Sequence, residues 1–282
     1  MTGLAVGVRK KNWFRGRSWP VHGALILTTF LIGFPLAYAA LIATQSNPDV
    51  FAFKLTPGDS LAQNFQDVWF GRNLGRYMWN STVQSVLITV AKTILSLAAG
   101  LAFVYFRFKA KWIVFFFVLI TLMMPTEVMI LALFRLVSAF DWKDTMAALV
   151  VPFAASATGA FLFRQHFANL PNDLAEASQV DGASPLQFLT KVLIPLSWNT
   201  IGALAVIQFV YGWNMYLWPV LIISKQEAQV IQVGLQNLQG IDVGLTYGPL
   251  MLAALLASIP PTIVFILLQK PFMSGFSITA DK

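Results

Sequence analysis

The chain has 282 residues, of which 57% are hydrophobic and 11% are charged, whereas a soluble globular domain carries about 25% charged residues. With no cysteine and two histidines, we expect neither a disulfide framework nor a protein-bound metal ion. The net charge of +7 comes from basic residues at the ends of apolar runs, which is typical of membrane proteins and argues against nucleic-acid binding.

Six apolar stretches reach the length of about 20 residues that is needed to cross about 30 Å of hydrocarbon. We therefore predict an all-α, polytopic membrane protein with six transmembrane helices. The predicted spans are residues 21–43, 82–106, 112–137, 145–163, 200–223 and 248–269.

The placement of Lys and Arg predicts the orientation of these spans. With the N-terminus inside, twelve basic residues lie in cytoplasmic segments and six on the outer side, so the positive-inside rule puts both termini in the cytoplasm. A cleaved signal is the alternative, because Ala37-Tyr38-Ala39 has the form of a cleavage site. The apolar run is long for a signal core and contains Pro35, which favours a retained span.

Two polar segments between the spans are too long to be tight turns. Residues 44–80 lie on the outer side and contain five Pro or Gly residues, so we expect a lid or a docking surface there. Residues 164–199 lie on the cytoplasmic side and have the pattern of two short helices.

The first of these two helices is predicted to begin at Asp173. Asp173 and Glu176 have the spacing of a capping box, in which each side chain bonds to the backbone of the first turn. Leu174, Ala177 and Val180 share one face at i, i+3 spacing. The pattern predicts a short amphipathic helix.

A second helix is predicted directly after the first. Gly182 can take the left-handed conformation that is common after a helix end, and Ser184 followed by Pro185 is typical of a helix start. We expect Pro195 to end this helix. The product is an elbow of two helices, and local physics alone leaves open that it is only an interfacial helix lying on lipid.

The elbow sequence resembles a known family. Residues 176–183, Glu-Ala-Ser-Gln-Val-Asp-Gly-Ala, continue through Phe188 to Pro195 and are similar to the cytoplasmic EAA loop of binding-protein-dependent ABC importer permeases. That pattern reads E-A-A, two variable residues, D-G-A, a phenylalanine and an L-P. Ser178 replaces the usual second alanine and Asn199 replaces a later proline of many members, while the Glu, Asp-Gly and Pro positions are kept.

A second motif in the fifth predicted span agrees with this resemblance. Residues 213–219, Trp-Asn-Met-Tyr-Leu-Trp-Pro, resemble the W-N-x-[FY]-x-x-P signature of the carbohydrate-uptake, maltose "G"-like permeases. An aromatic belt at the membrane interface would explain the tryptophans but not Asn214. Within this group the chain is most similar to the permeases for sn-glycerol-3-phosphate, on residues 124–128, 161–165, 181–185 and 211–219.

The basic residues predict a cytoplasmic segment over residues 1–20. The resemblance implies a six-span permease domain over residues 21–282, in the bacterial inner membrane. As a permease subunit the chain would be no enzyme and would bind no cofactor itself. It holds no G-x-x-x-x-G-K-[ST] motif, the loop that binds the phosphates of ATP. ATP and Mg would instead be bound by a partner ABC ATPase dimer. Other implied partners are a second homologous permease subunit, an extracytoplasmic solute-binding protein and membrane lipid. The residues implied to couple to the ATPase are Glu176, Ala177, Asp181, Gly182 and Ala183.

Lys92 and Glu127 are the charges predicted to lie deep in the membrane. A lone buried charge is costly there, so we expect the two side chains to pair or to face the pore. Charges at this depth also keep a secondary transporter open as an alternative, whereas a membrane enzyme would need a nucleophile–base or metal constellation. The other expected residues of the substrate path are Trp213, Asn214, Tyr216 and Trp218.

The substrate is predicted from resemblance and from charge. The resemblance implies sn-glycerol-3-phosphate or a glycerophosphodiester. A phosphate in low-dielectric surroundings needs compensating positive charge, which Lys92 would supply. A neutral oligosaccharide is the alternative, because aromatic and amide side chains would suit it without Lys92.

Overall fold

The computed structural model describes residues 18–239 and 246–276. These residues form helices joined by short connections, with no strand among them, so the predicted helical class is confirmed there. The predicted basic segment over residues 1–20 lies almost entirely outside the described residues. The helices are α1 (Ser18–Ala43), α2 (Asn47–Phe51), α3 (Leu61–Gln66), α4 (Leu74–Tyr105), α5 (Lys111–Leu122), α6 (Thr126–Ala139), α7 (Met146–Val150), α8 (Ala157–Ala168), α9 (Asp173–Val180), α10 (Pro185–Phe188), α11 (Ile194–Leu196), α12 (Trp198–Trp213), α13 (Leu217–Ile222), α14 (Ile231–Asn237) and α15 (Tyr247–Phe276).

Three helices among the described residues are long and apolar enough to cross a membrane. They are α1, α4 and α15, which correspond to the first, second and sixth predicted spans. Two bent helix pairs raise the number to five if each pair is one span. In the first pair, residues 146–153 meet α8 at 44°, and in the second, residues 185–196 meet α12 at 82°.

The third, fourth and fifth predicted spans are not single helices. The fourth, predicted as residues 145–163, divides into α7 and α8, with a 3₁₀ turn over Val151–Phe153 between them. The stretch predicted as residues 112–137 divides into α5 and α6, and Pro125 between them is extended, with ψ 133°. The stretch predicted as residues 200–223 divides into α12 and α13, because the helix ends at Trp213 and Asn214 departs from helical geometry. Apolar length alone therefore overestimated the continuity of these three segments.

The polar segment of residues 44–80 is folded rather than irregular. It contains α2, α3 and a π-helical turn over Asp67–Gly71, and α4 begins within it at Leu74. The buried side-chain amide of Gln45 donates to the carbonyl oxygens of Lys54 (2.9 Å) and Thr56 (2.8 Å). Asn64 likewise donates to the carbonyl oxygens of Ala43 (2.9 Å) and Gln45 (3.1 Å). These bonds join the segment to the end of α1.

The long helices pack in a definite order. The most extensive contacts join α8 to α4, α4 to α12, α12 to α15 and α15 to α1. Small residues permit the closest of these approaches, as they often do between membrane helices. A Cβ at Gly100 in α4 would lie 2.7 Å from the Cβ of Phe163 in α8, and a Cβ at Gly159 in α8 would overlap the side chain of Ser96 in α4. The helices α4 and α12 therefore form the centre of the described chain.

Candidate functional site

The predicted elbow is present, and Gly182 forms its corner. Gly182 has φ +70°, the left-handed conformation predicted for it. Ser184 begins α10 as its N-cap, with Pro185 at the first helical position and a complete capping box to Gln187. The Ser184 hydroxyl accepts from the Gln187 amide at 3.3 Å, and the Gln187 side chain accepts from the Ser184 amide at 2.8 Å.

Two details of the elbow differ from the prediction. The first helix, α9, begins at Asp173 as predicted, but the predicted capping box is absent. Asn172 is the N-cap residue, and no side chain bonds to the backbone at the start of this helix. Pro195 does not end the second helix but lies inside α11, which continues from α10 through a π-helical stretch over Leu189–Leu193. Proline has no amide N–H to donate, and Pro195 closely follows the π-helical stretch, in which the regular i→i−4 bonding is interrupted.

The elbow presents polar and apolar side chains to its surroundings. Glu176, Ala177 and Asp181 are exposed, and Val180 is 88% exposed. The concave side forms a cavity of about 540 Å³ whose lining includes Ala177, Asp181, Gly182 and Ala183. Four of the five predicted coupling residues therefore line one concavity, and the fifth, Glu176, is exposed beside it.

The root of the elbow is fixed in the core. Phe188 is buried, and its ring meets that of Tyr105 edge-on at 5.0 Å, at the end of α4. Leu193 is fully buried in the same cluster, which also contains Phe163 and Phe167 of α8. A force applied to the elbow would therefore act on α4 and α8 through packed side chains.

Lys92 belongs to α4, and its buried side chain contacts α12. Its side chain is 7% exposed, and its Nζ donates to Oε1 of Gln208 at 2.9 Å. The ammonium also lies 4.1 Å from the ring centroid of Tyr211, a cation–π contact. Gln208 in turn donates to the Ser156 hydroxyl at 3.3 Å. Neutral dipoles and a ring face thus stabilise the charge in this cluster.

The Glu127 side chain lies outside the described part of the chain. The expected pairing of Lys92 with Glu127 therefore stays a prediction. The described contacts of Lys92 are those with Gln208 and Tyr211. Both side chains are neutral, so neither neutralises the positive charge of the lysine.

A cavity adjoins this buried cluster. It has a volume of about 330 Å³, and Tyr211, Asn214, Tyr216 and Trp218 are among its lining residues. Tyr211 belongs to both features, because one side chain lines the cavity and contacts Lys92. The lysine therefore lies one aromatic ring away from the cavity.

The structure separates the predicted path residues into two groups. Asn214, Tyr216 and Trp218 come together at the cavity, and the indole of Trp218 donates to the Ala148 carbonyl at 2.9 Å. Trp213 is as buried as Trp218, each being 3% exposed, but it lies in a different cluster of the core, stacked at 6.0 Å on Phe209. The break between α12 and α13 causes this separation, because it redirects the side chains that follow Trp213.

Sequence reasoning missed Gln208 as a neighbour of Lys92. A signal was present: Gln208 is a lone amide inside an apolar helix, three residues before Tyr211. Residues at i and i+3 share a helix face, and an amide buried there needs a polar partner. These two observations would have pointed to Gln208 as the counterpart of the lone intramembrane lysine.

Long apolar helices around a buried lysine and an aromatic cavity define a polytopic membrane protein with a polar site inside its helix bundle. Residues 92–275 match the family described as binding-protein-dependent transport system inner membrane component. The chain belongs to this family, which confirms the resemblance found in the elbow and in the fifth predicted span.

Similar proteins cover nearly the whole chain. The sn-glycerol-3-phosphate transport system permease protein UgpE of Brucella melitensis is 37% identical over 264 residues, which cover 90% of this chain and 94% of the relative. The protein of the same name from Pectobacterium atrosepticum is 38% identical over 263 residues, with the same coverage. These relatives are transport permeases.

A solved structure has the same fold. It is described as the crystal structure of a bacterial ABC transporter involved in the import of the acidic polysaccharide alginate. The TM-score is 0.80 at 20% identity, and the match covers 91% of this chain and 98% of that chain. This likeness establishes the helical arrangement and carries no information on the substrate.

Proposed function

We propose that the chain is a transmembrane permease subunit of an ATP-driven importer for sn-glycerol-3-phosphate or a glycerophosphodiester. The observation that carries this proposal is the identity of 37% to 38% with permeases named for sn-glycerol-3-phosphate transport. The buried lysine beside an aromatic cavity supports it, because that cluster offers a positive charge to a phosphate.

The proposed topology has six spans with both termini in the cytoplasm of a bacterium. The helices α1, α4 and α15 supply three spans, the bent pair ending in α8 supplies a fourth, and α12 with α13 supplies the fifth predicted span. The remaining span combines α5 with α6, which are both apolar but too short to cross alone. The distribution of Lys and Arg supports this orientation.

The proposed partners follow from the permease role. A second homologous permease subunit would complete the pore, an extracytoplasmic solute-binding protein would deliver substrate, and an ABC ATPase dimer would bind ATP and Mg. The elbow would dock on this ATPase through Glu176, Asp181 and the concavity beside Gly182. Closure of the ATPase would then shift the permease between inward-open and outward-open states.

The substrate would meet Lys92 by way of Tyr211. Tyr211 lines the cavity and contacts the ammonium, so a displacement of this ring would bring a phosphate in the cavity towards the charge. Asn214 and Tyr216 would donate hydrogen bonds to the glycerol hydroxyls. A charge-assisted bond to a phosphate is about twice as strong as a neutral one, which makes Lys92 the main determinant of phosphate binding.

Uptake by the complete transporter tests both the substrate and the role of Lys92. We expect labelled sn-glycerol-3-phosphate to be imported, and Lys92→Gln to reduce this uptake at least about ten-fold, as the loss of a charged hydrogen bond predicts. Lys92→Arg, which keeps the charge, should retain more activity than Lys92→Gln. Co-purification of the partner subunits with each variant controls for assembly.

Maltose uptake by the same complete transporter tests the alternative substrate. A neutral oligosaccharide is favoured by one observation, the aromatic and amide lining of the cavity. Robust maltose uptake without glycerophosphate uptake would overturn the proposed substrate. Unchanged glycerophosphate uptake in Lys92→Gln would remove Lys92 from the site and leave the substrate resting on the relatives.

A further inference from the structure

A basic cluster lies at the junction of α4 and α5. Lys111 donates from its Nζ to the carbonyl oxygens of Val104 (3.2 Å) and Phe106 (3.1 Å), and so caps the end of α4. Arg107 lies four residues before Lys111 in the chain, and the guanidinium of Arg164 lies over the ring of Trp112, the residue that follows Lys111. Like charges repel unless a counterion lies among them, so this arrangement calls for an anion.

Arg164 is held in place by aromatic rings. Its guanidinium carbon lies 4.4 Å from the ring centroid of Phe115 and 5.0 Å from that of Trp112. Stacking on a ring face leaves the N–H groups at the edge of the guanidinium directed outward. The ion pairs among the described residues are Lys54–Asp49 and Arg72–Asp67, so this cluster has no acidic partner in that part of the chain.

An exposed apolar surface continues directly from the basic cluster. Trp112, Ile113, Phe116 and Phe117 project from the first two turns of α5, and Ile113 is 74% exposed. Charge at the start of an apolar helix, followed by exposed aromatic and aliphatic side chains, matches the division of a phospholipid into headgroup and acyl chains.

We propose that Arg107, Lys111 and Arg164 bind the phosphate headgroup of an anionic phospholipid whose acyl chains lie along α5. A free phosphate would gain nothing from the apolar surface. An acidic protein surface would satisfy the charges but would leave Ile113 and Phe117 beside polar side chains. A lipid satisfies both halves of the surface, and basic residues next to a membrane helix attract anionic lipid in this way.

Native mass spectrometry of the complete transporter tests this site. The complex is purified in detergent and mixed with equal amounts of phosphatidylglycerol and phosphatidylcholine. We expect the wild type to retain phosphatidylglycerol preferentially and Arg107→Gln/Arg164→Gln to lower that retention about ten-fold. Lys143→Gln is the matched control, because Lys143 also lies over a ring, 4.5 Å from that of Phe134; it should retain phosphatidylglycerol like the wild type.

Three results would overturn the lipid site. Unchanged phosphatidylglycerol retention in the double variant means that the lipid binds elsewhere or that another subunit covers the surface. Displacement of the retained lipid by inorganic phosphate at millimolar concentration means that the apolar half contributes nothing. If the double variant loses the ATPase subunit from the complex but still retains phosphatidylglycerol, the basic cluster contacts protein rather than lipid. If the double variant does not assemble, Arg107→Gln alone, in an exposed connection, must still lower the retention.

Discussion

Gly182 is the residue at which the elbow depends on backbone conformation alone. A Cβ added there meets nothing within 4 Å, and the φ of +70° is the only obstacle to a side chain. A β-branched residue in the left-handed region costs about 1–2 kcal/mol. We therefore expect Gly182→Val to leave the subunit inserted but to weaken the stimulation of ATP hydrolysis by loaded binding protein, measured in reconstituted vesicles.

Gly182→Asn is the matched control for this prediction, because asparagine enters the left-handed region far more readily than valine. It should retain most of the stimulation. Equal stimulation in the wild type and in Gly182→Val would contradict the proposed coupling role. Equal loss in Gly182→Val and Gly182→Asn would show that the side chain itself, and not the backbone, disturbs the docking surface.

Gly248 is the residue at which α15 meets the folded segment after α1. A Cβ there would lie 2.5 Å from the backbone oxygen of Gln45 and 2.5 Å from Nδ2 of Asn64. Because a backbone atom cannot rotate away, we expect Gly248→Ala to lower the free energy of unfolding by about 1–3 kcal/mol. Thermal unfolding in detergent, followed by fluorescence, measures this change.

Gly33→Ala provides the comparison for Gly248→Ala. Gly33 lies in α1, and a Cβ there meets nothing within 4 Å. Alanine also has the higher helix propensity, so this variant should unfold at or slightly above the wild-type temperature. A melting temperature of Gly248→Ala equal to that of Gly33→Ala would refute the close approach.

At the scale of elements, Asp144 links the connection after α6 to the segment after α13. Its carboxylate accepts from the backbone amides of Lys225 (2.9 Å) and Ser224 (2.5 Å). These two bonds hold the pKa of the Asp144 carboxyl below its usual value. The backbone of Asp144 is left-handed, with φ 60°, which aims the side chain at those amides.

The direction of this shift predicts a pH dependence. A carboxyl whose pKa is lowered by folding stabilises the folded state at pH values above its pKa in the unfolded chain, about 3.9. This stability is lost as the pH falls through the pKa of the folded state. Asp144→Asn should therefore unfold at a lower temperature than the wild type from pH 5 to 8, and the difference should close below about pH 4. Asp141→Asn, in the same connection with φ 55°, is the control.

Thermal unfolding of the wild type and both variants across this pH range is the measurement. The Asp144 contribution would be disproved by a difference between wild type and Asp144→Asn that stays constant down to pH 3. A closing difference in Asp141→Asn as well would assign the effect to the connection as a whole rather than to the two amide bonds.

At the scale of the whole molecule, the proposed orientation makes a prediction about accessibility. The chain has no cysteine, so a single introduced thiol can be labelled without background. Asp59 and Gln179 are both exposed. We expect Asp59→Cys to react with a membrane-impermeant maleimide in spheroplasts, and Gln179→Cys to react only in inverted vesicles. Labelling of both positions from one side would contradict the six-span topology.

Much of the fold follows from local sequence properties. The long apolar runs of α1, α4 and α15 identify helices of membrane-spanning length, because hydropathy and length are properties of one segment. The turn at Gly182 and the cap at Ser184 are equally local, since each depends on the backbone of a few adjacent residues. The breaks between α5 and α6, between α7 and α8 and between α12 and α13 were missed, because mostly apolar residues continue across all three.

The residues that meet across the bundle were decided by the tertiary structure. Lys92 and Gln208 are 116 positions apart, and only the packing of α12 on α4 places the amide oxygen at the lysine ammonium. Trp213 and Trp218 belong to one motif and are equally buried, yet they lie in different core clusters on either side of the helix break, and Trp218 is the one that also lines the cavity. The sequence by itself determined the membrane class, the family and the elbow, because these depend on composition and on contiguous motifs. The neighbours of the buried lysine depend on distant helices, and the free energy of burying its charge is set by the neighbours they supply.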